Sequence, residues 1–402
     1  MRLTSLTTYR TPIQPNVCIV ALESDAGEVG LGESFWGAAT VEAYLHETVV
    51  PILSKMDDHS PASTAAALRP YSGFDGSGAE IRGNSAIDIG LWDLLGRRSG
   101  QSVARLLGGP MTSRVRVYNT CAGYDYVKSD GQPAPSNWGL PGEDTGSRPY
   151  EDLEGFLHRP AELTRSLLDE GYSGMKVWPF DAAAERTRGH DISSSELRDA
   201  MRIVEAIRAE AGDAMDIFIE MHSMWSLKAA TRILGALEDI EPFWVEDPMR
   251  LDSVEGYRRL RERVDVPIAG GETLTGTRRF KPLLDAGALD VAIVDPGWTG
   301  GITETVRIAS LADTYGVSFA PHDCTGPISF AATVQVVASQ PNGLIAETVR
   351  ASQTGWYPQM VTGLPEVSDG HVRVSEEPGL GLTLREGFTA SPDTSVRSTR
   401  IA

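Results

Sequence analysis

The spacing of apolar and polar positions changes once along this chain, near residue 113. Before that point, short alternating runs predict three strands, and apolar residues at helical spacing predict three helices. A turn at 25–28 joins the second and third strands. The strands fall at 3–9, 17–24 and 29–33, and the helices at about 41–53, 62–69 and 84–98. Residues 1–112 are therefore predicted to form an α+β domain.

From Arg114 onward, short apolar runs alternate with amphipathic stretches. Eight strands and seven helices in this order predict an α/β fold, a modified (β/α)7β TIM-type barrel over residues 113–350. The strands fall at about 114–120, 174–178, 216–220, 243–246, 268–271, 291–295, 317–321 and 344–347. The helices fall near 160–170, 194–210, 227–238, 253–263, 277–286, 301–315 and 327–338.

Two segments depart from the alternation. Residues 129–149 hold four prolines and lie between the first barrel strand and its helix, at the active-site end of such a fold. They form either a lid or a plain surface insertion. The proline-rich segment 351–402 follows the last strand and is predicted to return to the capping domain and complete it. Its tail from about 390, rich in Ser, Thr and Arg, is expected to be mobile.

Composition narrows the class of protein and its surroundings. The formal charge of −19 disfavours nucleic acid and anionic membranes as partners, and no apolar run approaches the length of a membrane span. Cys18, Cys121 and Cys324 lack the spacing of metal ligands or of a disulfide framework, which indicates reduced thiols. A cytoplasmic enzyme is the expectation.

Three glutamates follow the apolar runs of successive barrel strands. Glu220, Glu246 and Glu272 are separated by 26 residues each, so they occupy equivalent positions in the repeat. The carboxyl ends of barrel strands meet on one face, where the three side chains would converge. Clustered carboxylates repel one another unless a cation lies among them, and oxygen ligands suit a hard ion such as Mg²⁺. Taken singly, each glutamate could instead be a solvated strand end.

The neighbouring strand supplies a lysine and a tryptophan. Lys176 could bind a substrate carboxylate or, with a depressed pKa, accept a proton; an outward strand-end lysine is the alternative. Trp178, two residues on, lies on the same side of the strand and would either wall a pocket or fill the barrel rim.

The last three strands also place polar residues at their ends. Asp295 ends the sixth strand, His322 directly follows the seventh and Glu347 ends the eighth. Adjacent strand ends could place Asp295 against one imidazole nitrogen, which would fix the tautomer of a basic histidine. A buried Glu347 could stay protonated and donate a hydrogen bond. A structural histidine and an ordinary charged strand end are the alternatives.

The chain resembles the mandelate racemase subgroup of the enolase superfamily over essentially its whole length. The resemblance rests on the Ala86–Gly96 helix and on the motifs at 246–248, 271–273 and 321–323. It implies one Mg²⁺ per subunit on Glu220, Glu246 and Glu272, and a homo-oligomer of two to eight subunits. It also implies roles for three further residues. Asp295 and His322 would remove the proton α to a substrate carboxylate, and Glu347 would hydrogen-bond the enediolate.

Two departures from that subgroup bear on the reaction. Trp178 stands where a second lysine is usual, which weakens racemisation because tryptophan offers neither an acid nor a base. His222 follows Glu220 by two residues, as in some sugar-acid dehydratases, where such a histidine can protonate the departing hydroxyl; a structural rim histidine is the alternative.

These features favour a Mg²⁺-dependent dehydratase that converts an acid sugar into a 2-keto-3-deoxy acid. The alternatives are a cycloisomerase or epimerase acting on a sugar acid or related carboxylate, and a non-catalytic metal-binding protein. Substrate stereochemistry is expected to depend on cap loops at 11–16 and 33–40 and on the 129–149 insertion.

Overall fold

The computed structural model describes residues 1–69, 76–128 and 150–401, so the predicted lid at 129–149 lies outside the described residues. The chain begins with three antiparallel strands, in agreement with the sequence pattern. They are β1 (Leu3–Arg10), β2 (Val17–Ser24) and β3 (Val29–Phe35). Strand β2 is buried along nearly its whole length, because its neighbours pair with both edges and helices cover one face.

A long helix, Ala79–Ser99, packs against β3 and forms the centre of this domain. Gly32 permits the close approach, since a Cβ atom there would lie 1.8 Å from the carbonyl oxygen of Ala86. The other helical segments of the domain are Ala38–Tyr44, the π-helical turn Leu45–Val49, Val50–Leu53, Pro61–Ala67 and Val103–Leu106.

The barrel strands confirm the predicted fold class, with bounds within about two residues of those expected. They are β4 (Arg114–Thr120), β5 (Gly174–Val177), β6 (Asp216–Glu220), β7 (Trp244–Glu246), β8 (Ile268–Gly270), β9 (Val291–Val294), β10 (Ser318–Pro321) and β11 (Ala346–Thr348). They pair in parallel in the order β11-β4-β5-β6-β7-β8-β9-β10. The ring closes where Leu344 N donates to Phe319 O and Phe319 N donates to Asn342 O, both at 2.9 Å.

The predicted helices also lie between these strands. They are Pro160–Asp169, Ser194–Ala211, Leu227–Leu237, Val254–Arg261, Thr277–Asp285, Gly301–Thr314 and Pro327–Ser339. Shorter helical segments at Asp152–His158, Asp181–Thr187, Gly212–Ala214, Glu238–Ile240, Pro296–Thr299, Arg350–Thr354, Tyr357–Met360 and Glu386–Thr389 lie in the connections and the C-terminal region. No helix among the described residues is long and apolar enough to cross a membrane.

Aromatic side chains fill the barrel below the strand ends. The Phe218 ring centroid lies 4.5 Å from that of Tyr118 and 4.4 Å from that of Trp244. All three side chains are fully buried and belong to a separate apolar cluster inside the ring of strands. The barrel is therefore a packed core, and only its carboxyl end is left for chemistry.

The C-terminal segment contacts both parts of the molecule. It contains β12 (Val361–Thr362), β13 (Val367–Ser368), β14 (His371–Arg373), β15 (Thr383–Leu384) and β16 (Ser395–Arg400). Strand β14 pairs with β4, whereas β16 adds a fourth antiparallel strand to the first sheet beside β1. The boundaries predicted at 112 and 350 remain a prediction.

The expectation of a mobile tail is wrong, since β16 is a paired strand. Its residues are exposed or half-buried, so the sequence carries no alternation of apolar and polar positions that would mark a strand. Pairing is instead supported by polar contacts, including Ser398 Oγ accepting from Thr7 at 3.0 Å and Thr399 Oγ1 lying 2.7 Å from His46 Nδ1.

Asp88 lies where the long capping helix meets the barrel helix Gly301–Thr314. Its Oδ1 accepts from Thr303 N at 2.9 Å, while Oδ2 has no hydrogen-bond partner in the described parts of the chain. The side chain is buried, and this burial raises the pKa of Asp88 to about 7. Ionised Asp88 is therefore unfavourable at this junction.

We expect Asp88→Asn to gain stability relative to the wild type as the pH rises. The difference in free energy of unfolding between variant and wild type should shift in favour of the variant by about 2–4 kcal/mol between pH 4.5 and pH 8. The pKa of Asp88 is raised in the folded state. The contribution of Asp88 to wild-type stability is therefore fully present below its pKa in the unfolded chain and is lost as the pH rises towards 7. Asparagine keeps the acceptor for Thr303 and does not ionise. Urea unfolding at both pH values measures the difference, with exposed Asp313→Asn as control. A stability difference independent of pH would contradict it.

Candidate active site

The three equally spaced glutamates meet at the carboxyl ends of β6, β7 and β8. One carboxylate oxygen of each of Glu220, Glu246 and Glu272 lies within 4.8 Å of those of the other two. Glu220 and Glu246 are buried and face each other in the parallel ladder, whereas Glu272 is partly accessible. The convergence expected from their spacing is therefore present.

Hydrogen bonds hold these carboxylates in place. Glu220 Oε1 accepts from the amides of Met221 at 2.9 Å and His222 at 2.7 Å, and Glu246 Oε2 accepts from Trp244 Nε1 at 3.0 Å. Burial, reinforced by neighbouring carboxylates and opposed by Lys176, raises the pKa of Glu246 well above its usual value. Three oxygen donors that repel one another fit a hard divalent cation, so the residues present suit Mg²⁺.

Lys176 lies among the acidic groups with its side chain buried. Its Nζ is 2.9 Å from Glu347 Oε1, 3.3 Å from Glu246 Oε1 and 3.4 Å from Glu220 Oε2. Burial lowers the pKa of Lys176, but the surrounding carboxylates outweigh it and raise the pKa well above the usual value. These contacts favour the ammonium form of Lys176, so they support the carboxylate-binding interpretation over the proton-accepting one.

Asp295 and His322 form the predicted pair on neighbouring strands. His322 Nδ1 lies 2.7 Å from Asp295 Oδ2, whose other oxygen accepts from Gly297 N at 2.6 Å. The second ring nitrogen, Nε2, lies 3.5 Å from Glu272 Oε2 and 3.2 Å from Cys324 Sγ. Burial lowers the pKa of His322, but Glu272 and other anionic neighbours more than offset this and raise it. Asp295 thus orients the ring with Nε2 towards the acidic cluster.

Glu347 accepts hydrogen bonds at both carboxylate oxygens. Thr120 Oγ1 donates to Oε1, which also contacts Lys176, and Asp323 N donates to Oε2 at 2.8 Å. Although burial raises the pKa of Glu347, Lys176, His322 and Thr120 lower it to about 2. The contacts of Glu347 favour its ionised form over the protonated, hydrogen-bond-donating form that was one of its two interpretations.

His222 lies in the turn after β6, where it and Ser223 have positive φ angles of 49° and 58°. Its Nδ1 is 2.9 Å from Asp181 Oδ2, and its ring packs edge-on against Trp178 at 5.9 Å. Burial lowers the pKa of His222, but the negative charges of Asp181 and Glu220 outweigh it and raise the pKa to about 9. His222 is therefore a protonated group at the rim.

A cavity of about 430 Å³ lies above these groups, between the capping domain and the barrel. It is lined by most of the predicted site residues, namely Lys176, Trp178, Glu220, His222, Glu272, His322 and Glu347. Asp295 contacts the cavity-lining His322 and Glu246 contacts the cavity-lining Lys176. Trp178 thus walls the pocket, as one of its two interpretations expected, while the chemical roles of the set remain predictions.

Several lining or supporting residues were not predicted. Asp181 holds His222, and the capping domain and the loop after β9 contribute Arg82 and Trp298. Asp181 begins a helix three residues after Trp178, so its place on the connection after β5 was the signal available. Arg82 lies in the first turns of a helix remote in sequence, and no spacing rule relates it to the barrel.

A barrel whose strand ends present three carboxylates, a lysine and an Asp–His pair defines an enzyme of the enolase type. Residues 159–388 match the family described as enolase C-terminal domain-like, and residues 3–108 match the mandelate racemase/muconate lactonizing enzyme N-terminal domain. The chain belongs to this family and to the mandelate racemase subgroup of the enolase superfamily.

Similar proteins include sugar-acid dehydratases and solved structures. The chain is 29% identical to the D-xylonate dehydratase of Haloferax volcanii, over 91% of this chain and 82% of that protein. It is 28% identical to the D-galactonate dehydratase of Ralstonia nicotianae, over 96% of this chain and 93% of that protein. A crystal structure of a mandelate racemase subgroup enolase from Agrobacterium tumefaciens is 39% identical, with a TM-score of 0.86 over 100% of this chain and 99% of that one.

Proposed function

We propose that the protein is a Mg²⁺-dependent dehydratase that removes water from a sugar acid and yields a 2-keto-3-deoxy acid. The chain is an enzyme, a lyase of the enolase superfamily. The observation that carries the proposal is the pair of oriented histidines at one cavity, His322 held by Asp295 and His222 held by Asp181. The dehydratases among its relatives support the same reaction class.

Glu220, Glu246 and Glu272 would hold one Mg²⁺. When bound, this ion supplies a positive charge that binds the substrate carboxylate and acidifies the α-proton. Lys176 adds a second positive charge beside the same three-carboxylate cluster, so it would orient the substrate carboxylate. Glu347 keeps Lys176 in place by ion pairing, which is a positioning role.

His322 Nε2 would take the α-proton, and Asp295 would stabilise the resulting imidazolium through Nδ1. The electron pair of the broken C–H bond forms the enediolate of the substrate. The same electron pair then forms the C2–C3 double bond as the C3–O bond breaks. His222 would give its proton to the leaving hydroxyl, which departs as water, and the enol product tautomerises to the 2-keto acid. The raised pKa of His222, about 9, keeps it protonated for this step.

Epimerisation has weaker support. It needs an acid or base on each face of the α-carbon, and Trp178 occupies the wall where the second group would stand. The oriented Asp295–His322 pair likewise argues against a non-catalytic metal-binding protein. A homo-oligomeric assembly and a cytoplasmic location remain expectations from the resemblance and the composition.

Screening a library of sugar acids for 2-keto-3-deoxy product tests the proposal directly. We expect His222→Asn to lower dehydration of the best substrate by about 10²–10⁴-fold, because a positioned acid is lost, while exchange of its α-proton in D₂O persists. Exposed His190→Asn is the matched control and should leave both rates near the wild-type values. A library with no dehydrated member, or a His222 variant that dehydrates normally, would contradict the proposed reaction.

A further inference from the structure

We propose that the substrate is a sugar diacid, an aldarate, whose distal carboxylate is bound by Arg82 of the capping domain. This inference rests on the proposed dehydratase function and adds the substrate class to it. Arg82 lines the same cavity as the acidic cluster and the two histidines, on the wall contributed by the capping helix Ala79–Ser99.

The Arg82 guanidinium is fixed by neighbours but is not saturated. Nε donates to Ser77 O at 3.2 Å and Nη1 donates to Phe35 O at 3.0 Å. The group stacks over Trp298, with its central carbon 5.0 Å from the ring centroid. Nη2 makes no hydrogen bond to any described residue. Arg82 therefore has a rigid geometry and a spare donor group at the cavity.

The charges around the cavity single out Arg82. Lys176 pairs with three glutamates, His322 contacts Asp295 and Glu272, and His222 contacts Asp181. No described carboxylate lies within ion-pair distance of Arg82; Asp295 and Glu80 act on it only from farther away and do not offset burial, which lowers its pKa. A half-buried guanidinium whose nearest described carboxylates lie beyond ion-pair distance still has a free donor group for an anion, so an anionic group supplied by the ligand would complete the site.

The position of Arg82 suits the far end of a short acid. Arg82 and His322 both lie about 5 Å from the Trp298 ring, at 5.0 Å and 4.8 Å respectively. If the first carboxylate lies at the glutamate cluster and the α-carbon at His322 Nε2, the chain can continue along the Trp298 wall towards Arg82. A planar guanidinium favours a carboxylate at that end.

Arg82 also tethers the cap through two backbone carbonyls, so a single activity loss would not distinguish recognition from structure. The informative quantity is the ratio of kcat/KM for an aldarate to kcat/KM for the aldonate of the same configuration. Both acids share the reacting end and differ only in the distal group. A structural defect lowers both values together, whereas loss of a carboxylate-binding group lowers mainly the aldarate value.

The experiment measures this ratio for wild type, Arg82→Gln and Arg307→Gln with Mg²⁺ present. Arg307 is a partly exposed arginine that pairs with Glu304 outside this cavity, which makes it the matched control. We expect the wild type to prefer the aldarate, Arg82→Gln to lower the ratio by about 10- to 100-fold, and Arg307→Gln to leave it unchanged. The aldonate with a terminal phosphate is a third substrate arm.

Each outcome decides between hypotheses. A wild type that dehydrates aldonates at least as well as aldarates overturns the diacid inference and leaves the dehydratase function intact. Equal losses on both acids in Arg82→Gln, or a preference for the terminal phosphate, also overturn it. Dehydration of neither class would instead contradict the proposed function.

A binding measurement separates the subsite from turnover. Adipate and hexanoate have equal chain lengths, carry no hydroxyl group and cannot be dehydrated. We expect calorimetry with Mg²⁺ to show adipate binding about 10-fold more tightly than hexanoate, with the difference lost in Arg82→Gln. Equal affinity of the wild type for both acids would contradict a binding site for the distal carboxylate, independently of which substrates the enzyme converts.

Discussion

Removal of divalent metal is expected to abolish dehydration of the sugar acid, and added Mg²⁺ should restore it. Three carboxylates with oxygens within 4.8 Å of one another need a positive charge, and Lys176 alone supplies only one. We expect Glu246→Gln to lower kcat/KM by about 10²–10⁴-fold, because several kcal/mol of transition-state stabilisation depend on the metal. Calorimetric Mg²⁺ titration should show weakened binding in the same variant.

Exposed Glu205→Gln is the control, since it removes one negative charge from the same chain without touching the cluster. Metal should also raise the unfolding temperature of the wild type, because an ion that binds only the folded state stabilises it. Full activity of verified metal-free protein would contradict the metal assignment. So would Mg²⁺ affinity that is unchanged in Glu246→Gln.

Much of the architecture follows from the sequence because its repeat is regular. Each barrel strand is a short apolar run followed by an amphipathic helix, and this period fixes both the strand order and the face on which strand ends meet. Glu220, Glu246 and Glu272 share one register, so their convergence needed no knowledge of side-chain packing. Asp295 and His322 follow by the same reasoning, since adjacent strands in the chain are adjacent in the barrel.

The ionisation states could not be predicted in this way. Burial alone favours a protonated Glu347, but Lys176, His322 and Thr120 lower its pKa to about 2 against the effect of burial. These groups come from three other places in the chain, Thr120 on β4, Lys176 on β5 and His322 after β10. Only the folded arrangement shows which contribution dominates.

The residue that the capping domain contributes to the cavity also could not be predicted from the sequence. Arg82 reaches the cavity because Ala79–Ser99 packs between β3 and the barrel, a contact between segments far apart in sequence. Strand β16 escaped prediction for a related reason, since its polar residues pair with β1 without an apolar face. Long-range packing, unlike the local repeat, leaves no periodic signature.

The base can be identified by separating proton abstraction from water loss. We expect His322→Asn to reduce both dehydration and exchange of the substrate α-proton with D₂O by about 10²–10⁴-fold, because the group that breaks the C–H bond is missing. His222→Asn should lose dehydration alone. Mg²⁺ affinity should stay near the wild-type value in both variants, since the proposed ligands are the three glutamates. Proton NMR of the best substrate in D₂O measures both rates in one experiment.

Two further variants test how His322 acts. Asp295→Asn keeps the side-chain shape but removes the charge 2.7 Å from Nδ1, so exchange should fall while the histidine remains. His371→Asn, at a half-buried position on β14 outside the cavity, should change nothing. Wild-type exchange in His322→Asn would place the base elsewhere. Lys176 would be the next group to test, although its contacts with Glu220, Glu246 and Glu347 hold it as an ammonium ion and make it a poor proton acceptor before substrate binds. Loss of exchange in His322→Asn, together with partial exchange in Asp295→Asn, would instead identify His322 as the base. The proton would then leave from the face of the substrate that lies towards His322.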